Sequence, residues 1–349
     1  MAIGDPKSNS NRRLVDEALR EGGFGSRDAS MYNLIHGIHS LNKGVSPAPV
    51  NRDSTGYTFF TKPMLNLTYN NIRYVRKLEF LGDPNTRSMG CAIKCMLTST
   101  SSFGGGYVAA TPRSEHVDDR NPFVSLLSNT LMTLTGFPDS SLDTFTSEEG
   151  YAKEAMTWAD GRTQHFGPVD LTAEFRNVKG DPVTTFYIAY LEYMSRVQTD
   201  HISPHAFMMT HKYIDYMMAI YRLVMDESDR FVQKIGVVPA AFPTATPDAA
   251  AFNVNREKAF TDANATVSIP FRGNGFISND PIVAWAFNQS VYGCWPGIKS
   301  ACTPLVGENF KYRGVLDGKC LPLIDEETYE LVWWAPNDLF ATAKNLIDS

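Results

Sequence analysis

The stretch from Leu171 to Phe271 constrains the fold of this chain most, because its hydrophobic period changes from two to 3.6 and back. Leu171, Ala173 and Phe175 alternate with Thr172, Glu174 and Arg176, the pattern of a strand with one buried and one wet face. Asn177-Val-Lys-Gly180 predicts a turn. Asp181 before Pro182 reads as a helix start, an N-cap residue type ahead of a first-turn proline. Val183, Phe186, Tyr187, Tyr190, Leu191, Met194 and Val197 recur at helical spacing and form a broad apolar stripe over the helix Asp181–Val197. Tyr213–Met225 reads as a strand pair apolar on both faces. Met217, Ala219, Tyr221 and Leu223 lie on one face, and Met218, Ile220 and Val224 on the other. A strand of that kind is buried on both sides. The helix covers one side; the other falls to a second subunit or to another part of the same chain. After a corner at Ala241-Phe242-Pro243-Thr244, a last strand alternates Ala265, Val267, Ile269 and Phe271 with Thr266, Ser268, Pro270 and Arg272. Pro270 cannot donate to a ladder, which predicts an edge or a bulge at that end.

The flanking segments are less regular. Asn11–Arg20 and Asp28–Leu41 are short amphipathic helix candidates, closed by Gly22-Gly23 and Gly44, and Pro47-Ala-Pro49 marks a linker. Residues 1–50 are therefore expected to form a helical arm that docks on a neighbouring element or subunit. Gly56–Pro63 is a strand signal ended by proline. Ile72–Leu81 is equally consistent with helix and strand. Ser88–Thr98 carries apolar residues at alternate positions and predicts a strand. Asp119–Leu134 predicts a helix, with Pro122 in its first turn and a stripe of Phe123, Leu126, Leu127, Leu131 and Leu134. The expected division is an arm over 1–50, a β domain with insertions over 51–290 and a C-terminal extension over 291–349.

Bulk properties exclude some functions. Hydrophobic residues make up 43 % of the chain and charged residues 20 %, enough for a sizeable core and unlike a disordered protein. The net charge is −6, from 32 basic and 38 acidic residues, against the clustered positive surface a dedicated nucleic-acid binder needs. The N-terminus carries no apolar core of signal-peptide length and no apolar run is long enough to span a membrane, so a soluble cytoplasmic product is expected. The Asn-x-Ser/Thr matches at Asn66, Asn264 and Asn288 are then chance. Cys91, Cys95, Cys294, Cys302 and Cys320 read as reduced thiols, although the last three could bridge outside a cell. Cys91-x-x-x-Cys95 lacks zinc-knuckle or thioredoxin spacing.

No catalytic signature stands out. His201, His205 and His211 are the one histidine cluster. A metal site needs three or four converging ligands, and Pro204 interrupts simple helical spacing, so ordinary loop histidines are expected. His36 and His39 sit at i, i+3 without a Glu-x-x-His pattern. Ser102-Phe-Gly-Gly-Gly-Tyr107 lacks the lysine and hydroxyl of a phosphate loop and reads as a turn before a strand at Tyr107–Ala110. Gly23-Phe-Gly25-Ser-Arg-Asp28 is half a dinucleotide fingerprint with no buried strand before it. Asp226-Glu-Ser-Asp229 reads as a solvated turn. Trp333 and Trp334 are either an interface anchor or a core plug.

The element order resembles the tail-tube fold of contractile-tailed bacteriophages and related injection systems. The residues carrying the resemblance are the Leu171–Arg176 strand, the Gly180 turn, the Asp181–Val197 helix, the Met217–Met225 strand, the Ala241–Thr244 corner and the Ala265–Phe271 strand. It implies an α+β fold: a mainly antiparallel, tail-tube-like β-barrel or sandwich with a packed helix, plus the helical arm and C-terminal extension as additions. Phe175, Gly180, Tyr187, Ala241, Phe242, Pro243 and Ile269 are its signature positions, with Trp333 and Trp334 as further interface candidates. The resemblance implies a structural protein of the virion tail, assembled in the host cytoplasm. It implies neither enzymatic activity nor a cofactor or bound metal. Copies would join into a ring, hexameric in that family, beside other tail, sheath or baseplate proteins, with genomic DNA passing through. At 349 residues the chain exceeds a plain tube subunit, which points to a baseplate tube-initiator type ahead of the repeating tail tube subunit, the next reading. The alternatives are a baseplate wedge, collar or connector without the tube fold, and a metal-dependent hydrolase using His201, His205 and His211.

Overall fold

The computed structural model describes residues 54–73, 75–98, 114–118, 120–139, 142–160, 167–206, 208, 216–246, 248, 252, 265–313, 316 and 320–348. The expected N-terminal arm with His36 and His39, the half fingerprint at Gly23, the glycine-rich segment 102–107 with its following strand, Asn264 and His211 lie outside them. The described strands are β1 Ser54–Phe60, β2 Leu131–Thr135, β3 Thr144–Thr146, β4 Thr157–Ala159, β5 Pro168–Arg176 and β6 Met218–Met225. They continue with β7 Val232–Pro243, β8 Thr266–Asn274, β9 Ile277–Ser278, β10 Cys302–Pro304, β11 Leu321–Ile324 and β12 Leu331–Pro336. The helices longer than one turn are α1 Met89–Leu97, α2 Ser125–Thr130, α3 Pro182–Gln198, α4 Pro281–Cys294 and α5 Asn337–Asp348. The chain divides into two compact units. One comprises Phe59–Tyr221 with Gly236–Ser278; the other comprises Met1–Thr58, Arg222–Ile235 and Asn279–Ser349.

One open sheet has the order β1-β6-β7-β8-β5-β2, in which β9 also pairs with β7, and the first unit holds the larger share of it, including the whole of β8, β5 and β2. β5 runs antiparallel to β8 over its whole length, from Pro168 opposite Asn274 to Arg176 opposite Thr266, and antiparallel to β2 on its other side. Alternation along β5 is complete: Val169, Leu171, Ala173 and Phe175 are buried and their neighbours exposed. α3 lays its stripe on that buried face. Phe186, Tyr187, Tyr190 and Tyr193 are fully buried, and the Tyr187 ring meets Phe175 at 5.8 Å and Phe271 at 5.9 Å. Phe60 approaches the same rings from β1. The mixed antiparallel sheet and packed helix agree with the expected α+β class. Among the described residues the sheet path is open rather than closed into a barrel, with β1 and β2 at its ends.

Four local expectations are corrected. Ser88–Thr98 is helix α1, not a strand. Ser88 caps it by accepting from the Cys91 amide, and Cys91, Ile93, Cys95, Met96 and Leu97 are buried, a set compatible with either period. Asp119–Leu134 is not one helix: α2 begins at Ser125, after Pro122, and Leu131 and Leu134 belong to β2. Tyr213–Met225 is not a strand pair; it supplies one strand, β6, and β7 is the second. The Ala241-Phe242-Pro243 corner is therefore the end of β7, where Ala241, Phe242 and Pro243 face Gly273, Arg272 and Phe271 of β8. Asp181 has left-handed backbone (φ 49°) and its side chain caps nothing; it serves α3 through its carbonyl, which accepts from Thr185 Oγ1 at 2.9 Å. The ambiguous Ile72–Leu81 contains the last residue of a helical turn and most of a 3-10 helix over Arg76–Gly82.

β6 does not bury two clean faces. Met218 and Ile220 join the core of the first unit, while Leu223 and Met225 are buried in the second, so the buried alternation shifts between Ile220 and Tyr221. Pro270 lies inside the sheet, yet β7 stops opposite Phe271. From Thr266 to Pro270, β8 has only β5 as strand partner among the described residues, and the missing donor falls where no ladder needs it. Pro239 similarly separates the β9-paired and β8-paired parts of β7.

Among the described residues, one of the buried polar groups without a hydrogen-bond partner lies against the sheet. The Tyr187 hydroxyl is enclosed with no hydrogen-bond partner, and burial raises its pKa far above the ordinary tyrosine value. An unpaired buried hydroxyl costs about 1–3 kcal/mol relative to water. Tyr187→Phe is expected to raise stability by about 1 kcal/mol, checked by urea unfolding with an unchanged m-value.

The second unit holds the sheet β10-β12-β11, with Leu321 opposite Trp334 and Cys302 opposite Pro336. α4 packs against β11 through an amide. Asn288, buried on the inner face of α4, donates Nδ2 to the Ile324 carbonyl at 2.7 Å and accepts the Ile324 amide at Oδ1 at 2.9 Å. The side chain thus replaces a neighbouring strand along an edge strand, which ties β11 without another ladder. It also places Asn288 out of reach of glycosylation. Asn288→Ala would leave both Ile324 backbone groups unpaired, with an expected loss of about 3 kcal/mol in equilibrium denaturation.

Candidate functional site

The surface that sequence and geometry single out is the wet face of the open sheet, its ends, and a hairpin inserted between β2 and β5. On the wet face the exposed residues of β5 meet partners across the strands. Asp170 faces Arg272, Thr172 faces Pro270, Glu174 faces Ser268 and Arg176 faces Thr266. On the other side, β2 brings Thr133 opposite Glu174 and Thr135 opposite Thr172. Arg272 Nε lies 3.5 Å from Asp170 Oδ1, and Thr133 Oγ1 donates to Glu174 Oε2 at 2.9 Å. The two acidic and two basic side chains, Asp170, Glu174, Arg176 and Arg272, balance, so this β2-β5-β8 part of the face is hydrophilic without a net charge. It has the polarity of a wall in contact with water, and it lacks the positive charge that would hold a nucleic acid.

The hairpin joins β3 to β4, with Phe145 opposite Trp158. Gly136 starts the connection from β2. Its φ of 102° and the Asp170 carbonyl, 2.2 Å from where a Cβ would sit, leave room for glycine alone. All described residues from Leu142 to Asp160 are exposed except Ser147, and they bond one another within the hairpin, such as Ser147 N to Met156 O at 2.8 Å and Thr146 Oγ1 to Thr157 Oγ1 at 3.0 Å. Phe145 and Trp158 stack at 5.7 Å on one face, where Met156 is exposed as well. A lone two-stranded ribbon is marginal in water. A ribbon that shows two aromatic rings to solvent is suited to a protein partner.

Of the nine sequence-derived positions, the structure brings Phe175, Tyr187, Ala241 and Ile269 into one core, all fully buried. Phe242 is half-buried against Tyr216, Pro243 is buried at the end of β7, and Gly180 supplies the left-handed turn before α3 at φ 93°. Trp333 and Trp334 are half-buried on β12 in the second unit. Arg313 lies over the Trp333 ring at 5.0 Å and donates to the Tyr57 hydroxyl at 3.1 Å, and Tyr57 meets Trp333 edge-on. The hairpin was not foreseen. Its signal was available in Thr-Phe-Thr and Thr-Trp-Ala on either side of Gly150.

Four of the five cysteines are buried; burial pushes the Cys95 thiol up to about 11, against reactivity. His201 Nδ1 bonds the Thr199 carbonyl at 2.8 Å, and burial lowers the His205 pKa. Among the described residues no three His, Cys, Asp or Glu side chains are placed to hold a metal ion, and no helix is long and apolar enough to cross a membrane.

Comparison with known proteins matches residues 3–345 to a family model described as "Putative phage tail tube protein". No curated protein matches. Three solved cryo-EM structures are weakly similar. The anti-feeding prophage tube terminating cap is 14 % identical, covering 45 % of this chain and 82 % of its own, with a TM-score of 0.28. The sheath/tube terminator of an extracellular contractile injection system, PVC, in the extended state is 13 % identical over 43 % of this chain and 85 % of its own, with a TM-score of 0.25. Its sheath-tube complex is 13 % identical over 45 % and 82 %, with a TM-score of 0.27.

Proposed function

Because this chain belongs to the phage tail tube protein family, a family of structural tail components, we propose that its copies pair through their sheet ends into a ring around a DNA channel. The observation that carries this reading is the open sheet. Among the described residues β1 and β2 are its terminal strands, with β1 flanked at its C-terminal end by Pro122–Val124, and the wet face of β2, β5 and β8 is polar and charge-balanced. Unpaired strand ends are a liability in a monomer, and closing a ring removes them. The balanced face of Asp170, Arg272, Glu174 and Arg176 then lines the channel, where DNA slides rather than binds. The ring is a hexamer, assembled in the host cytoplasm, and belongs to a contractile tail. There it meets sheath or baseplate proteins.

The hairpin β3–β4 reaches beyond its own unit and docks Phe145 and Trp158 on another copy. The second unit is more than a plain repeating wall needs, which favours a baseplate tube-initiator over the repeating tube subunit. Phe175, Gly180, Tyr187, Ala241, Phe242, Pro243 and Ile269 hold the wall, and Trp333 and Trp334 serve the second unit. The division into an arm over 1–50, a wall over 51–290 and an extension over 291–349 remains part of this proposal. Negative-stain imaging with sedimentation velocity tests it: rings or stacked rings are expected at tens of micromolar or on a tail template. A compact monomer under both conditions contradicts it.

A further inference from the structure

The β3–β4 hairpin carries charge as well as rings. It holds Asp143, Glu148, Glu149, Glu154 and Asp160 against Lys153, and among the described residues no ion pair reaches any of these carboxylates. The register that sets Phe145 opposite Trp158 also sets Asp143 opposite Asp160, whose amide donates to the Asp143 carbonyl at 2.7 Å. Side chains two residues apart share a face of a strand, so this pair of carboxylates flanks the aromatic pair. Like charges directly opposite repel each other. Phe145 is 54 % and Trp158 51 % exposed, and both aspartates are exposed with them. The acidic, aromatic face is therefore left uncovered by its own unit.

The second unit presents the complement. The 3-10 helix Gly307–Tyr312 ends at Arg313, whose half-buried guanidinium lies 5.5 Å from the Phe310 ring and 5.0 Å from the Trp333 ring. It donates to the Tyr57 hydroxyl at 3.1 Å, and among the described residues no carboxylate pairs with it. A guanidinium has more donors than that one bond uses, in a fork that fits carboxylates. Phe310 is 54 % and Val306 37 % exposed, so an apolar surface opens beside the cation. Arginine and tryptophan together are the residues on which interface energy concentrates. Another exposed basic stretch, Arg76-Lys77 beside Phe80, has less to offer, because Lys77 already pairs with Glu192 at 3.3 Å.

We propose that Arg313 and Phe310 of one copy receive the hairpin of a second copy. Asp143 and Asp160 converge on the Arg313 guanidinium, and Phe145 with Trp158 packs on Phe310 and Val306. Each side supplies what the other lacks: a cation between two facing carboxylates relieves their repulsion, and the exposed rings on both sides leave water together. The inference rests on the reading that the hairpin docks on another copy, and it names the surface that receives it.

The test uses the full-length chain with a benzoylphenylalanine photo-crosslinker in place of Met156, which is exposed beside Trp158. Irradiation under assembling conditions is expected to give adducts at dimer mass to the peptides containing Val306–Arg313 or Trp333. Adducts only at monomer mass, adducts only to other segments, or none overturn the proposal. If rings still form in that sample, the ring reading stands and this contact alone falls; if the chain does not associate at all, both fall. As a second readout, Arg313→Glu and, separately, Asp143→Lys/Asp160→Lys should each weaken self-association at least about tenfold in sedimentation equilibrium. The combined variant, with the charges exchanged, should return to within about threefold of wild type. No recovery in the combined variant overturns the proposal as well.

Discussion

Phe175→Ala is expected to lower the stability of the sheet unit by about 3–5 kcal/mol, the cost of removing a fully buried aromatic ring from a core that cannot collapse around the gap. The ring is held on three sides. Phe60 approaches at 5.9 Å from β1 and Tyr187 at 5.8 Å from α3, while the backbone of Phe175 is fixed between Val267 of β8 and Leu131 of β2. Relaxation would need two strands and a helix to move together, which places the expected cost in the upper part of that range. Urea unfolding followed by far-ultraviolet circular dichroism checks it, and a loss under about 1 kcal/mol would mean that α3 does not pack on this face as described. Phe175→Leu should recover much of the loss, since it restores apolar volume.

The second large effect concerns association. Phe145→Ser with Trp158→Ser should leave the melting temperature of the unassembled protein within about 2 °C, because these rings contact each other on an exposed hairpin and lie outside the core. Self-association should weaken at least about a hundredfold, the loss expected when two aromatic anchors worth about 2 kcal/mol or more each leave an interface. Sedimentation equilibrium of wild type and variant, in the same buffer, separates the two consequences. If association is unchanged, the hairpin is not a contact. If the melting temperature falls by many degrees, the hairpin packs on its own unit instead.

The sequence was most readable where one residue's environment repeats at a fixed period. β5 and β8 each bury one face and wet the other, so Leu171–Arg176 and Ala265–Phe271 announce themselves, and α3 follows from its stripe of aromatic residues. The alternation of Cys91, Ile93, Cys95 and Leu97 suggests a strand, whereas in α1 these residues fall on opposite sides of a helix that is buried on both, which hides the helical period. Only the contact with the 3-10 helix before it decides, since a Cβ at Gly90 would lie 2.2 Å from the Phe80 carbonyl. β7 stayed hidden because Gly236, Pro239 and Pro243 read as breakers, and each is tolerated where its partner strand changes or ends. The hairpin escaped notice for the opposite reason: nearly every residue in it is exposed, so burial imposes no alternation. The candidate surface was legible only in part. Which strands face water can be read from β5 and β8, but the pairing of Asp170 with Arg272 and the tie from Asn288 to Ile324 depend on register.

The central claim is that the two ends of the open sheet meet between copies. Cryo-electron microscopy of rings assembled from the full-length chain, at a resolution that traces strands, tests it directly. The account predicts β1 of one copy beside β2 of the next, with the Asp170, Glu174, Arg176 and Arg272 face turned to the lumen. Rings in which β1 and β2 remain unpaired, or in which that face points outward, would contradict it.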